Sequence, residues 1–234
     1  MRRAVAILTV ILASGCASSA RESHPGDVYT AAYTQLHATV VYFKMKIPAD
    51  DVKRRKAGGR DDAYGSGFVF ESGAWGSRIL TDAHVVADAT DLVATIGDRH
   101  SAKARVIATS NDDDDLAIVF VPLPNEAIAR LGHARGLLPG TPVGVLGYPI
   151  PDAFADEGLG TTVSLYTGRL SSVRKNALEL DLPIIPGESG GPVFEAASGE
   201  VVGVAESRFD EERAIGFATP VETIRTFIAA HPRS

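Results

Sequence analysis

Gly187-Glu188-Ser189-Gly190-Gly191-Pro192 places a serine among glycines, so that backbone and substrate can approach its hydroxyl closely. A lone serine hydroxyl is a weak nucleophile at neutral pH. It needs a general base, and the base needs a group to orient it. Both residue types lie upstream. Ile79-Leu80-Thr81-Asp82-Ala83-His84-Val85-Val86 sets a histidine just after an apolar, strand-like run, and Asp115 opens the run Leu116-Ala117-Ile118-Val119-Phe120-Val121. Asp112 to Asp115 forms an acidic turn of which Asp115 alone abuts the strand, with Asp114 the second candidate.

The same glycines also satisfy Gly-x-Ser-x-Gly, the nucleophile elbow of the α/β-hydrolases, with Ser189, Asp210 and His231 in that fold's chain order. An elbow serine must open a helix. Gly190-Gly191-Pro192 breaks one, and no alternation of strands and helices surrounds it.

These segments resemble the trypsin-like (chymotrypsin-fold) serine proteases, and within them the bacterial HtrA/Deg branch. Tyr64-Gly65-Ser66-Gly67-Phe68-Val69, Val145-Leu146-Gly147-Tyr148-Pro149 and Gly216-Phe217-Ala218-Thr219-Pro220 fit the same pattern, over roughly residues 62 to 221, with 28 to 61 fitting loosely. The resemblance implies an all-β fold of two six-stranded Greek-key barrels with a short C-terminal helix, and a site between the barrels. It assigns His84, Asp115 and Ser189 to a catalytic triad and the backbone N–H groups of Gly187 and Ser189 to an oxyanion hole. It also implies a specificity pocket with Pro183 as floor, Ile184 beside it, walls from Ala205 and Glu206 to Arg208, and Gly216 opposite. One departure stands out: Glu188 replaces the asparagine or aspartate usual before the serine, where a longer carboxylate could disturb the oxyanion loop or hold it in a regulated state. Members of the branch often continue into PDZ modules, whereas about a dozen residues follow Pro220.

The elements that must position these residues read as β structure from about Ala38 on: short β-branched and apolar runs separated by Gly, Pro, Asn and Asp. Expected strands are Thr39–Met45, Gly67–Glu71, Ile79–Thr81, Leu92–Ile96, Ala104–Ala108 and Leu116–Val121, then Val143–Leu146, Thr161–Tyr166, Gly168–Val173, Ala177–Leu182, Pro192–Glu195, Val201–Ala205 and Ala214–Thr219. The first barrel is placed at about 38–121, a Pro- and Gly-rich connector at 122–140, the second barrel at 141–219 and a terminal helix at 220–231. Trp75 reads as a hairpin-tip packing residue and His100 as part of a polar turn.

Composition narrows the function. With 45% hydrophobic residues in 234, the chain can bury a substantial core. A net charge of −6 leaves no basic field to hold nucleic acid. Met1-Arg2-Arg3 followed by the apolar run Ala4–Ala13 has the form of an export signal and is too short for a membrane span. It ends at Ala13-Ser14-Gly15-Cys16, which resembles a bacterial lipobox. Residues 1–15 are therefore expected to leave, and Cys16 to carry lipid. Residues 16–27 read as a flexible tether, ahead of a protease domain at 28–234. Loss of Arg2 and Arg3 takes the charge from −6 to −8. Ala17 in place of aspartate after the cysteine implies the periplasmic side of the outer membrane in a two-membrane host. Cys16 is the only cysteine, so no intrachain disulfide can form. The basic run Lys53-Arg54-Arg55-Lys56 reads as a solvated loop.

The reading is a membrane-tethered serine endopeptidase that needs no cofactor or metal and acts on unfolded or exported polypeptides. A catalytically silent protease-fold binding lipoprotein and an esterase-like acyl transferase are the alternatives.

Overall fold

The computed structural model describes residues 25–46, 62–87, 89–97, 100–110, 113–206 and 215–233. Cys16, the export signal, the tether up to His24, the basic run at 53–56, Ser207, Arg208 and Asp210 lie outside the described residues.

The chain begins with helix α1 (Pro25–Leu36), continues through a short 3-10 turn (His37–Thr39), and enters the strands β1 (Val40–Lys46), β2 (Asp62–Gly73) and β3 (Gly76–Asp82). A four-residue helical turn, α2 (Ala83–Val86), precedes β4 (Val93–Ile96), β5 (His100–Lys103), β6 (Arg105–Thr109) and β7 (Leu116–Val121). The second half holds β8 (Pro142–Gly147), α3 (Pro151–Asp156), β9 (Ser164–Val173), β10 (Leu178–Leu180), β11 (Pro192–Glu195), β12 (Val201–Glu206), β13 (Gly216–Pro220) and α4 (Val221–Ala230).

The mostly-β architecture expected from the resemblance is the one found. The second half closes into a six-stranded barrel in the order β10-β13-β12-β11-β8-β9. The first half differs in detail: it is a seven-stranded half-barrel sheet, β5-β4-β1-β2-β3-β7-β6. The extra strand is His100–Lys103, read above as part of a turn. Its side chains are mostly exposed, so it carries no apolar pattern, and its pairing with β4 from Val93↔Lys103 to Ile96↔His100 forms it. Likewise the two strands expected at Thr161–Tyr166 and Gly168–Val173 are one, β9 from Ser164 to Val173, because Gly168 stays in register opposite Val143.

At its centre the first sheet is buried on both faces, and alternation sorts its residues between them. Val41, Phe43, Val69, Ile79, Ala117 and Val119 form the sheet's own core. Their neighbours Val40, Phe68, Leu80, Leu116 and Ile118 belong instead to the cluster that fills the second barrel, with Val145, Leu146, Val193, Phe194 and Val204. All seven residues of β3 are buried as a result. The inter-barrel face is a continuous apolar contact.

Two helices bind the halves further. On α1, Ala32 and Leu36 are buried and Tyr29 and Tyr33 pack beside them, an i, i+3, i+4, i+7 stripe against the second barrel's cluster. The Tyr29 hydroxyl donates to Gly168 O at 3.2 Å. On α4, Val221, Ile224 and Phe227 are buried, and the Glu222 carboxylate accepts from the N–H groups of Ala134 and Arg135, each at 3.0 Å. The end of α4 is held by Arg78 of β3, which donates to His231 O at 2.5 Å and to Glu71 at 2.7 Å. Trp75 packs at the tip of the β2–β3 hairpin, stacked on Phe120 and with the Arg233 guanidinium over its ring.

Candidate active site

His84 is on α2, directly after β3, with its side chain about half exposed. Val85 and Val86 are buried under it, which anchors the turn while leaving the imidazole at the surface. Asp115, just before β7, reaches it from the neighbouring strand. The two strands pair antiparallel with Asp82 opposite Leu116, so the residue after one strand meets the residue before the other. Three contacts lock them. Ala83 N–H donates to Asp115 O at 2.9 Å, His84 N–H to Asp115 Oδ1 at 2.9 Å, and His84 Nδ1 is 2.5 Å from Asp115 Oδ2. Asp115 takes φ +47 to make all three at once. That left-handed conformation costs on the order of 1–2 kcal/mol for a non-glycine residue, and is one that aspartate tolerates better than most. Burial works against the Asp115 charge, but the His84 ring, its charge, and the backbone N–H groups of His84 and Ala83 outweigh it and hold the carboxyl below its ordinary range.

Asp114, the second candidate, does not make these contacts. It lines a groove of about 520 Å³ with Thr109, Ser110 and residues of α4. Asp82 does belong near the ring: buried at the end of β3, its carboxylate is 4.0 Å from His84 Nδ1. Sequence reasoning passed it over, although its position two residues before the histidine was a usable signal. Asp82, His84 and Asp115 bring ligand atoms within 4.8 Å of one another, a grouping that could hold a metal ion, but here the histidine nitrogen is committed to Asp115.

Ser189 lies in the second of two consecutive tight turns. Glu188 N–H donates to Ile185 O at 2.9 Å around Pro186 and Gly187, and Gly191 N–H donates to Glu188 O at 2.9 Å around Ser189 and Gly190. Gly187 has φ +98 and Gly190 φ +86. A positive φ at the third position, with Pro186 at the second position of the first turn, is the pattern of a type II turn. A Cβ on Gly190 would lie 2.2 Å from Ser66 O and from Thr81 Oγ1. Glycine there is what lets the serine loop rest on the first sheet.

That contact is organised by Ser66 of β2, which is fully buried. Its N–H donates to Ser189 O at 2.9 Å, its hydroxyl to Gly187 O at 2.6 Å, and the same oxygen accepts from Tyr148 N–H at 3.0 Å. Ile150 N–H pins Pro186 O at 2.7 Å. The N–H groups of Glu188, Gly190 and Gly191 are all used. Those of Gly187 and Ser189 meet no backbone carbonyl among the described residues. Two such donors, one on the buried serine itself (7% exposed) and one two residues before it, can stabilise an anionic oxygen.

Of the expected pocket, Ile184 is buried and lies on Gly216, where a Cβ would come within 3.0 Å of its Cγ1. Ala205 is buried and exchanges backbone hydrogen bonds with Gly190 and Gly191. Pro183 is half-buried. The Glu206 carboxylate accepts from the Thr219 hydroxyl at 3.4 Å. In the elbow reading, the serine should open a helix, but β11 follows Ser189 at Pro192. His231 Nδ1 instead lies 2.9 Å from Phe227 O at the end of α4.

With this geometry in place, the comparisons decide the family. Residues 65–204 match the trypsin-like peptidase domain. The chain belongs to that family. It is 28% identical over 77% of its length to a probable periplasmic serine endoprotease, DegP-like, of Pseudomonas fluorescens. It is 31% identical over 77% of its length to the putative serine protease HhoA of Synechocystis. It covers 37% and 45% of those relatives, so it spans less than half their length. Among solved structures, the serine endoprotease from Yersinia pestis superposes with a TM-score of 0.65 at 25% identity, covering 85% of this chain and 64% of that one. The HtrA-type protease AlgW with tripeptide gives a TM-score of 0.67 at 24% identity, over 85% and 61%.

Glu188, flagged as the departure in the motif, is fully buried, and desolvation raises its carboxyl from 4.5 to about 7, against the opposing pull of the Ile185 N–H. A carboxyl whose folded-state value is raised contributes stability that is full below the unfolded value and lost as the pH climbs through the folded one. The window is therefore about pH 4.5 to 7. Glu188→Gln removes the titration, so urea denaturation across that window should show the variant gaining about 3 kcal/mol relative to the native chain. A pH-independent difference would contradict it.

Proposed function

We propose that this domain is a serine endopeptidase in which Ser189 attacks the scissile carbonyl, His84 moves the proton, and Asp115 orients the imidazole. The observation that carries the reading is the double hold of Asp115 on His84, through ring and backbone, together with a serine loop that leaves the Gly187 and Ser189 N–H groups available. In this mechanism His84 takes the Ser189 hydroxyl proton as the C–O bond forms. The oxyanion develops against those two donors, and His84 then hands the proton to the leaving amine to give an acyl-enzyme. Water, deprotonated by His84, attacks the acyl carbonyl and releases the product acid and the serine. Each oxyanion donor is worth on the order of 10²–10³ in rate.

Ser189→Ala and His84→Ala should each abolish cleavage of unfolded casein with circular dichroism unchanged, and Asp115→Asn should lower kcat by roughly 10⁴ by stabilising the wrong tautomer. Fluorophosphonate labelling of the native chain, lost in Ser189→Ala, separates this from a silent scaffold. Retained proteolysis in the serine variant would defeat the assignment, and labelling without casein cleavage would favour the esterase alternative.

For specificity, a pocket formed by Ile184, Ala205 and Gly216, with the Glu206 carboxylate engaged by Thr219, supports small or medium aliphatic residues before the scissile bond. A buried cation would need an acidic floor, and Pro183 supplies none. Peptide-library profiling should show cleavage after Ala or Val. Dominant cleavage after Lys or Arg, lost in Glu206→Gln, would make Glu206 the specificity determinant instead.

The setting is proposed to be the cell envelope, where the chain, lipid-anchored through Cys16 on the periplasmic side of the outer membrane, acts on unfolded or exported proteins. The lipobox-like sequence and relatives described as periplasmic support it. A palmitate analogue should label the native chain and not Cys16→Ser, which should also leave the membrane fraction. Equal labelling of both would place the anchor elsewhere.

A further inference from the structure

Glu188 is the member of the serine loop that the mechanism above leaves without a task. Its carboxyl is sequestered, 0% exposed. Oε2 accepts the Ile185 N–H at 2.8 Å, while Oε1 is buried with no hydrogen-bond partner. Because Glu188 N–H also donates to Ile185 O, these two residues grip each other twice across the turn, once by backbone and once by side chain. Between them lie Pro186 and Gly187, the residue whose N–H is aimed at no backbone acceptor.

Among the described residues, the surroundings hold no cation paired with this carboxyl. Gly147 of β8 packs on the Glu188 backbone, where a Cβ would lie 3.0 Å from the Glu188 Cα and from the Ser66 hydroxyl oxygen. Tyr166 of β9 is a titratable side chain whose phenol is raised by burial first and by the Glu188 charge second. Tyr148, beyond Gly147, turns its ring to Tyr42. No lysine, arginine or histidine forms an ion pair with Glu188 among the described residues. A neutral acid with one unsatisfied oxygen is tolerable in such a site, whereas a half-satisfied, unpaired carboxylate is far more costly. A negative charge one residue from Gly187 would also oppose an oxyanion developing there. Both effects have the same sign.

We propose that Glu188 is a positioning residue that works as an uncharged carboxylic acid, closing the Ile185–Glu188 turn so that Gly187 N–H is presented to the substrate oxygen. Ionisation favours opening of the turn toward water and withdraws the donor. This rests on the serine-endopeptidase reading. It fits the raised carboxyl described above and makes the rate of the chemical step fall as the pH passes neutrality.

The test is the pH profile of kcat and KM for labelled casein, with native chain and Glu188→Gln, which keeps an acceptor for Ile185 N–H and cannot ionise. The expected result is a variant-to-native kcat ratio that rises roughly tenfold or more between about pH 6 and pH 9, with the KM ratio flat, since the donor acts on the transition state. A constant kcat ratio across that range overturns the proposal. Should the variant fail to fold, hydrogen exchange in the native chain decides. Peptides spanning 182–190 should lose protection, after correction for intrinsic rates, as the pH rises through about 7, and unchanged protection overturns it. A native chain that neither cleaves casein nor takes up fluorophosphonate at any pH refutes the parent reading, and is distinct from an active enzyme with a flat ratio.

Discussion

The serine loop depends on Ser66. A single buried residue of the first sheet supports the serine loop of the second barrel at two points, through its N–H to Ser189 and its hydroxyl to Gly187, and ties in Tyr148 with the same oxygen. The loop has no disulfide to brace it, because the chain has one cysteine. Hydrogen bonds across a dry interface must therefore set its shape. They are effective because both barrels have excluded water there, where an unpaired partner would cost on the order of 1–3 kcal/mol.

The dryness comes from the first sheet having no solvent face at its centre. The inward residues of β2, β3 and β7 fill one core while their alternates join the second barrel's core. Any shift of register by one residue would exchange the two sets and turn Ser66 away from the loop. Fixing the register also fixes the ends of β3 and β7, from which His84 and Asp115 emerge. The strained backbone at Asp115 is sustained by this double packing, which leaves the strand ends little freedom to relax.

Two carboxylates within one site are pushed in opposite directions by their surroundings. Asp115 has a histidine ring and two N–H groups to stabilise its charge and is held low. Glu188 has one N–H and burial, and is held high. Such divergence is what the roles proposed above, a charged orienter and a neutral structural acid at the same pH, require.

Much was legible in the residues alone. The order of His84, Asp115 and Ser189, the strand pattern and the terminal helix over Val221–Ala230 follow from local signals: glycine-rich turns, alternation, and an amphipathic stripe after Pro220. The helix Pro25–Leu36 also left a signal, the spacing of Tyr29, Ala32, Tyr33 and Leu36, which a reading of that region as tether and loosely fitting sequence obscured. Other features have no local signature. His100–Lys103 is a strand because β4 offers it a partner. Asp82 approaches the imidazole because β3 ends there. Ser66 becomes the anchor because β2 faces the second barrel, and Glu188 becomes a buried acid because Ser66, Gly147 and Ile185 close around it. Sequence determines which groups are available and on which side of a strand they fall. Tertiary packing alone determines which of them lose water, and desolvation is what turns an ordinary serine and glutamate into structural determinants of the site.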